Sequence, residues 1–405
     1  MEFFKEKDFK NTKIGEVPKD WSVDILDEYA IIKGRIGWRG LKSSEYTKEG
    51  PYLIANTHIP KNRVEWEKCD HLSRYRYEES PEIQLKVRDV IMSKDGTIGQ
   101  VAYIDYLPGE ATLNSTMLLL RSKNKDLCSH YLYYFLQGFQ FRKFLNQKTA
   151  GGQIPHIFQR DMKKLLLTLP ERKEQRQIAT ILSRVDDAIQ KTDEIIQKTQ
   201  LLKKGLMQEL LTKGIGHKEF KYSEELGCEI PKEWDALKIG DIFSLEYGKG
   251  LTERQRDDGR FPVFGSNGIV GYHSEYIVNG PGLIVGRKGT IGAISWSDKN
   301  FWPIDTTYYV KLKKETDLKW LFFKLISMKL AELNMATGTP GLNRDLVYSE
   351  KISFPPVPEQ HQIASILSNV DDQIETERRT KEELEKLKKG LMQILLTGKV
   401  RVKVN

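Results

Sequence analysis

Glu174 to Ile189 reads EQRQIATILSRVDDAI, and Glu359 to Ile374 reads EQHQIASILSNVDDQI. Twelve of these sixteen positions are identical. A second block, LKKGLMQELLT from Leu202, returns as LKKGLMQILLT from Leu387 with ten of eleven identical. Both blocks are offset by 185 residues, so the twelve residues between them change sequence and keep their length. A repeat on this scale governs the architecture and is read before anything else.

The repeated segment has the pattern of a long helix. In the first copy Ile178, Leu182, Val185, Ile189, Thr192, Ile196 and Thr199 follow 4-3 spacing, continued by Leu206 and Leu210. In the second copy Ile363, Leu367, Val370, Ile374, Leu384, Leu391 and Leu395 match it. Such spacing places one apolar stripe on a helix face that meets a partner helix. Pro170 and Pro358 mark the starts, and the 39 residues from Glu174 to Thr212 would make a rod of roughly 58 Å. The nearest cover for each stripe is the other copy, which predicts an antiparallel coiled coil with pseudo-two-fold symmetry. The last turns add Met207, Leu211, Met392 and Leu396, more apolar surface than one seam uses. They read either as local core or as a docking face for another subunit.

Working outward, weaker echoes define two globular modules. IGEVPKDW ending at Trp21 is answered by GCEIPKEW ending at Trp234, and KDGTIG ending at Gly99 by RKGTIG ending at Gly292. The offset shrinks from 213 to 193 and then 185, so the second module has lost residues between shared anchors. Short β-like runs, Gly-rich turns and aromatic amphipathic stretches predict an α+β fold. The expected domains are a first module at 1–170, a helix and linker at 171–217, a second module at 218–357 and a last helix at 358–405.

Composition narrows the function. The 405 residues carry 64 Lys plus Arg against 56 Asp plus Glu, a net +8, yet residues 218–358 hold 19 of each sign. Any nucleic-acid footprint must therefore come from local clusters. No apolar run reaches the ~18 residues of a membrane span, the charged N-terminus lacks a signal-like apolar region, and Cys69, Cys128 and Cys228 are isolated. A cytoplasmic protein is expected. Neither GxxxxGK[ST] nor GxGxxG occurs, the histidines show no metal-ligand spacing, and Phe354-Pro-Pro-Val reads as a connector between strand and helix. No catalytic and no metal site is expected.

The candidate DNA contacts lie in matched loops. IIKGRIGWRGLK sets Lys33, Arg35, Arg39 and Lys42 around Trp38 with no acid among twelve residues. The corresponding stretch of the second module has Lys249, Arg254, Arg256 and Arg260, diluted by Glu253, Asp257 and Asp258. Basic loops contact phosphates, and Arg and Lys also read guanine edges. Lys94 in the first module, and Arg287 and Lys288 in the second, precede the GTIG turns. Gln153 and His156, or Asn343, sit in Gly-rich loops before the last strand of each module.

The paired modules, the Pro-x-x-Trp openings, the GTIG turns and above all the EQxQIAxIL…DD…LKKGLMQxLLT helices resemble the specificity subunit of a type I restriction–modification system. That resemblance covers essentially the whole chain. It implies two target recognition domains reading the halves of a bipartite, asymmetric double-stranded DNA site. It also implies a coiled coil that spaces them and docks methyltransferase subunits, with restriction subunits joining the complex. S-adenosylmethionine, ATP and magnesium would then serve the partners, and this chain would itself be non-catalytic. A subunit of a related non-translocating system, and a two-module protein-binding scaffold, remain as alternatives. The first helix begins LPERKEQ where the second begins FPPVPEQ, so its proline-rich start is partly lost.

Overall fold

The computed structural model describes residues 2–35, 41–149, 156–334 and 341–403. The apolar stripes form two uninterrupted helices, Arg172–Lys213 and Val357–Leu395. Pro170 precedes the first, and Pro355 and Pro356 link the strand Lys351–Phe354 to the second. Pro358 falls in the first turn of its helix, where a missing N–H costs nothing. Gly214, at φ 70°, ends the first helix, and a Cβ there would lie 2.4 Å from Glu359 Oε1. Only glycine fits.

The chain divides into two compact units: Met1–Lys191 with Thr380–Asn405, and Thr192–Arg379. The boundaries cut through both long helices, so each unit holds one module, the first half of its own helix and the last turns of the other. This partition differs from the one read in the sequence, which separated module from helix.

Within the first unit, a four-stranded antiparallel sheet runs in the order Ala30–Lys33, Met117–Ser122, Val90–Ser93, Val101–Tyr103. A three-stranded sheet orders Ala111–Leu113, Tyr46–Ile54, Asp70–Leu72. The second unit repeats this plan. Its larger sheet runs Phe243–Tyr247, Thr307–Leu312, Gly282–Gly286, Ile294–Ser297, and its smaller one Gly268–His273, Phe261–Gly265, Trp302–Pro303. In each unit an aromatic helix packs on the larger sheet, supplying Tyr131, Tyr134 and Phe135 to one core and Trp320 and Phe323 to the other.

These cores correct the reading of the stripe. Ile178 and Leu182 belong to the core of the first unit, and Ile363 and Leu367 to that of the second, instead of facing only a partner helix. Leu210 and Leu211 are buried in the second unit, with Leu206 and Met207 against them. Leu395 and Leu396 are buried in the first, with Leu391 and Met392 against them. The surplus apolar surface is thus local core, because the aromatic helices supply the matching face. The large apolar side chains that stay exposed on the rods are Ile195, Leu201, Leu202 and Leu387.

The repeated motif residues are anchors. The buried Trp21 indole donates to Glu174 Oε2 at 3.2 Å, and Trp234 donates to Glu359 Oε2 at 2.8 Å. Gln175 donates to the Pro170 carbonyl and accepts from the Cys128 amide; Gln360 does the same with Pro355 and Asp317. Each glutamate also meets a side chain from the segment after the other helix, Arg401 in the first unit and His217 in the second. Arg401 is nearly buried and gathers Glu6, Asp20 and Glu174, which hold its guanidinium charged; Arg401 in turn draws the Asp20 carboxyl down, while the Asp8 amide is the main cause that lowers Glu6.

Each aspartate pair bridges helices. Asp186 Oδ1 meets Lys388 Nζ at 2.7 Å while its other oxygen accepts from Tyr134 at 2.8 Å. In the second unit Lys203 Nζ meets Asp371 Oδ1 at 2.5 Å and lies 5.3 Å from the Phe323 ring.

Breaking a buried ion pair by removing one partner costs about 3–5 kcal/mol. Arg401→Met should therefore lower the urea midpoint strongly, since Glu174 stays buried without its charge partner, and a variant as stable as wild type would contradict this. Lys324 gives a pH test. Its ammonium is buried against the Leu211 carbonyl and Ser353 hydroxyl, and burial pulls its pKa down to about 8. The folded state loses this proton before the unfolded state does, so stability should rise between pH 8 and pH 9. Lys324→Met should flatten that slope in urea titrations.

Candidate nucleic-acid interface

One hydrogen-bonded frame occurs in both units at the same end of the larger sheet. In the first, Lys94 N donates to Thr116 O at 2.8 Å, Ile157 N to Lys94 O at 3.1 Å, and Gln159 Nε2 to Ile32 O at 2.8 Å. In the second, Arg287 N donates to Thr306 O at 2.9 Å, Leu342 N to Arg287 O at 2.8 Å, and an Arg344 guanidinium nitrogen to Leu245 O at 3.2 Å. These bonds join the GTIG turn, the end of the Gly-rich loop and the first sheet strand into a lip. The turn glycines adopt left-handed φ, as in Gly292 at 71°, where a Cβ would stand 2.5 Å from Ala331 N.

The side chains mounted on this frame differ between the units. In the first unit His156 Nδ1 bonds the Asp95 carboxylate, and its ring meets the exposed Phe158 edge-on at 4.3 Å. The Arg160 guanidinium covers the same Phe158 at 4.7 Å. In the second unit the half-exposed Tyr247 ring carries two guanidiniums, Arg344 at 4.5 Å and Arg287 at 4.9 Å. Among the described residues neither arginine forms an ion pair.

A second basic surface occupies the opposite end of the first unit's sheet. A cavity of about 600 Å³ there is lined by Lys86, Arg88, Lys123, Arg172 and Arg176. Its one carboxylate, Asp89, is already held by two nitrogens of Arg121, Nε and Nη2, each at 2.7 Å. Tyr103 stacks on His130 at its edge, at 4.5 Å. At the equivalent strand position of the second unit Trp296 carries Lys319 at 4.0 Å. Among the described residues no cluster of His, Cys, Asp or Glu suits a metal ion, and no helix is long and apolar enough to cross a membrane.

Residues 18–200 and 231–386 match the family model of the type I restriction modification DNA specificity domain. The chain belongs to this specificity-subunit family. Its curated relatives include the type I restriction enzyme MjaVIII specificity subunit of Methanocaldococcus jannaschii, 30% identical over all of this chain and 98% of that protein. The EcoprrI specificity subunit of Escherichia coli is 23% identical over 70% of this chain and 71% of its own length. The fold is also that of the crystallised type I S subunit from M. genitalium, with TM-score 0.64 over 93% of this chain and 96% of that one at 17% identity.

Within this specificity subunit the residues singled out in the sequence are placed unevenly. Lys33, Lys42, Lys249, Arg254, Arg260, Lys288 and Asn343 are exposed, and Lys94, His156, Arg256 and Arg287 are half-buried. Asn343 Oδ1 also caps a helix, accepting from the Asp345 amide at 2.9 Å. Trp38, Arg39 and Gln153 lie outside the described residues. Arg35 is a correction: it is buried, donating to Leu113 O at 3.0 Å and Ser80 Oγ at 3.1 Å, and burial pulls its pKa down. It is a brace inside the module, not a phosphate contact. Arg256 is likewise engaged, bonding the Val270 and Leu251 carbonyls across its loop.

Sequence reasoning missed Tyr247, Arg344, Phe158 and Arg160. The shared Arg-Asp pairs at Arg160-Asp161 and Arg344-Asp345 were the available signal. Yet aligning them shifts the frame by one, because Gln159 and not Arg160 takes the place of Arg344.

Arg35→Ala should destabilise the first unit by about 1–3 kcal/mol, through the lost bonds and the void left behind. Lys33→Ala should leave thermal stability within about 0.5 kcal/mol of wild type. Equal melting losses for the two would contradict the assignment of Arg35 to the interior.

Proposed function

We propose that this specificity subunit is the non-catalytic DNA reader of a type I complex, and that its two lips each read one half of a bipartite double-stranded target. The observation that carries this is the pair of lips themselves: the same backbone frame in both units, fitted with different side chains. A protein-binding scaffold has no need of that combination. Two readers of different base sequences do. The basic surface around Lys86 and Arg88, and the Trp296–Lys319 surface in the second unit, would hold phosphates and set register without reading bases.

The long helices are the spacer. Asp186 and Asp371 are offset by 185 residues, and so are Lys203 and Lys388, so the Asp186–Lys388 and Lys203–Asp371 bridges are copies of one contact. Two helices that meet by exchanging that contact run antiparallel as a coiled coil with pseudo-two-fold symmetry. The exposed Leu201, Leu202 and Leu387 are where we place the methyltransferase subunits, with restriction subunits joining that assembly. Adenine methylation with S-adenosylmethionine, and ATP- and magnesium-dependent translocation and cleavage, are assigned to those partners in the cytoplasm.

Lengthening both helices between the bridges tests the spacer. Seven residues inserted after Lys191 and seven after Thr376 preserve the heptad and add about 10.5 Å. At ~3.4 Å per base pair, the methylated target should keep both half-sites and gain about three unread base pairs between them. Insertion into one helix alone should abolish methylation. An unchanged spacer after the paired insertion would overturn the proposal.

A further inference from the structure

The Tyr247 cluster carries an inference that rests on the proposed function and sharpens it. Arg287 and Arg344 approach one tyrosine ring, at 4.9 and 4.5 Å, and each also lies 5.8 Å from the Tyr308 ring beneath. Each fixes its guanidinium by a single bond from one terminal nitrogen to a backbone carbonyl, Asp305 O at 3.0 Å and Leu245 O at 3.2 Å. The other nitrogens of both forks have no partner among the described residues. Carboxylates are close in sequence on this lip, at Glu246, Asp305 and Asp345. Among the described residues none of them pairs with either arginine, and Glu246 is occupied by Ser244.

Two like charges held over one ring without a counter-ion repel one another, so the arrangement stores an unmet demand for acceptors. Stacking and the carbonyl bonds remove most of the rotamer freedom that a long side chain would lose on binding. What remains is a pair of pre-set planar forks of the kind that matches two adjacent acceptors, such as O6 and N7 of guanine. A backbone phosphate offers acceptors too, but three observations favour a base. The cations suited to phosphates, Lys249 and Lys288, are exposed and lie close to Tyr247 and Arg287 in the sequence. The frame under the arginines also exists in the first unit. There, however, it carries Lys94 and Gln159, with Gly34 in place of Tyr247. A phosphate contact common to both half-sites would not need different side chains at the same two points, whereas base readout does.

We propose that Arg287 and Arg344, set by Tyr247, are specificity-determining residues that read guanine in the half-site of the second module.

The test selects targets from DNA randomised in both half-sites, using the complex of this chain with its methyltransferase, for wild type, Arg287→Lys and Arg344→Lys. Lysine keeps the charge and loses the fork. Each variant should lose about tenfold or more of the selection for guanine at a position of the second half-site. The first half-site should be selected as before, which also shows that the complex is assembled. Thermal melting of both variants within a few degrees of wild type excludes a collapsed second unit. Uniform weakening with base preferences intact would make the arginines a phosphate clamp and overturn the inference. So would a second half-site without guanine in the wild type. A wild-type complex that selects no sequence would overturn the proposed function itself, and this inference with it.

Discussion

Asp186 takes Lys388 on one carboxylate oxygen and the Tyr134 hydroxyl on the other, and Asp371 takes Lys203 above the Phe323 ring. Each bridge joins the two long helices at the point where they lie on a module's aromatic helix. The helices can hold this register only because their ends are fixed as well, by Trp21 on Glu174 and Trp234 on Glu359. The repeated Glu, Gln, Asp, Lys and Leu residues therefore have a mechanical reason. Glu and Gln fix where a helix leaves its module, the first Asp of each pair and the Lys of LKKG fix its register, and the Leu-Leu pair fixes its far end in a core. Between these points the sequence is free to drift, provided its length stays constant.

That mechanics explains what could be read from the amino-acid sequence. Two long helices, two modules and the α+β character were all visible, because they rest on local periodicity and on a repeat. The partner of each stripe was not. Ile178 and Ile363 have the spacing of a helix seam, yet the surfaces that bury them come from residues such as Tyr131 and Trp320, about 45 positions earlier in the chain. Apolar periodicity reports that a face is covered and is silent on what covers it.

The candidate interface was legible in its loops and only partly in its side chains, of which Arg287 was named and Tyr247 and Arg344 were not. The GTIG turns and Gly-rich loops were singled out, and the structure brings them together through bonds such as Leu342 N to Arg287 O. Arg35 shows the opposite case: in an acid-free basic run it looked like the neighbouring Lys33, but its guanidinium turns inward to Leu113 and Ser80, 45 or more residues away. Tyr247 and Arg344 escaped notice because one reads as a strand residue and the other as part of a helix start. Their meaning arises only when a separation of nearly 100 residues closes to 4.5 Å.

If two lips with one frame and different side chains read DNA, the target must carry two unlike half-sites separated by bases that no side chain reaches. Base-resolution mapping of adenine methylation, in cells expressing this chain with its methyltransferase, tests that claim most directly. The account predicts a bipartite, non-palindromic motif with a fixed spacer of unread positions. A palindrome, or one continuous run of specified bases, would contradict it.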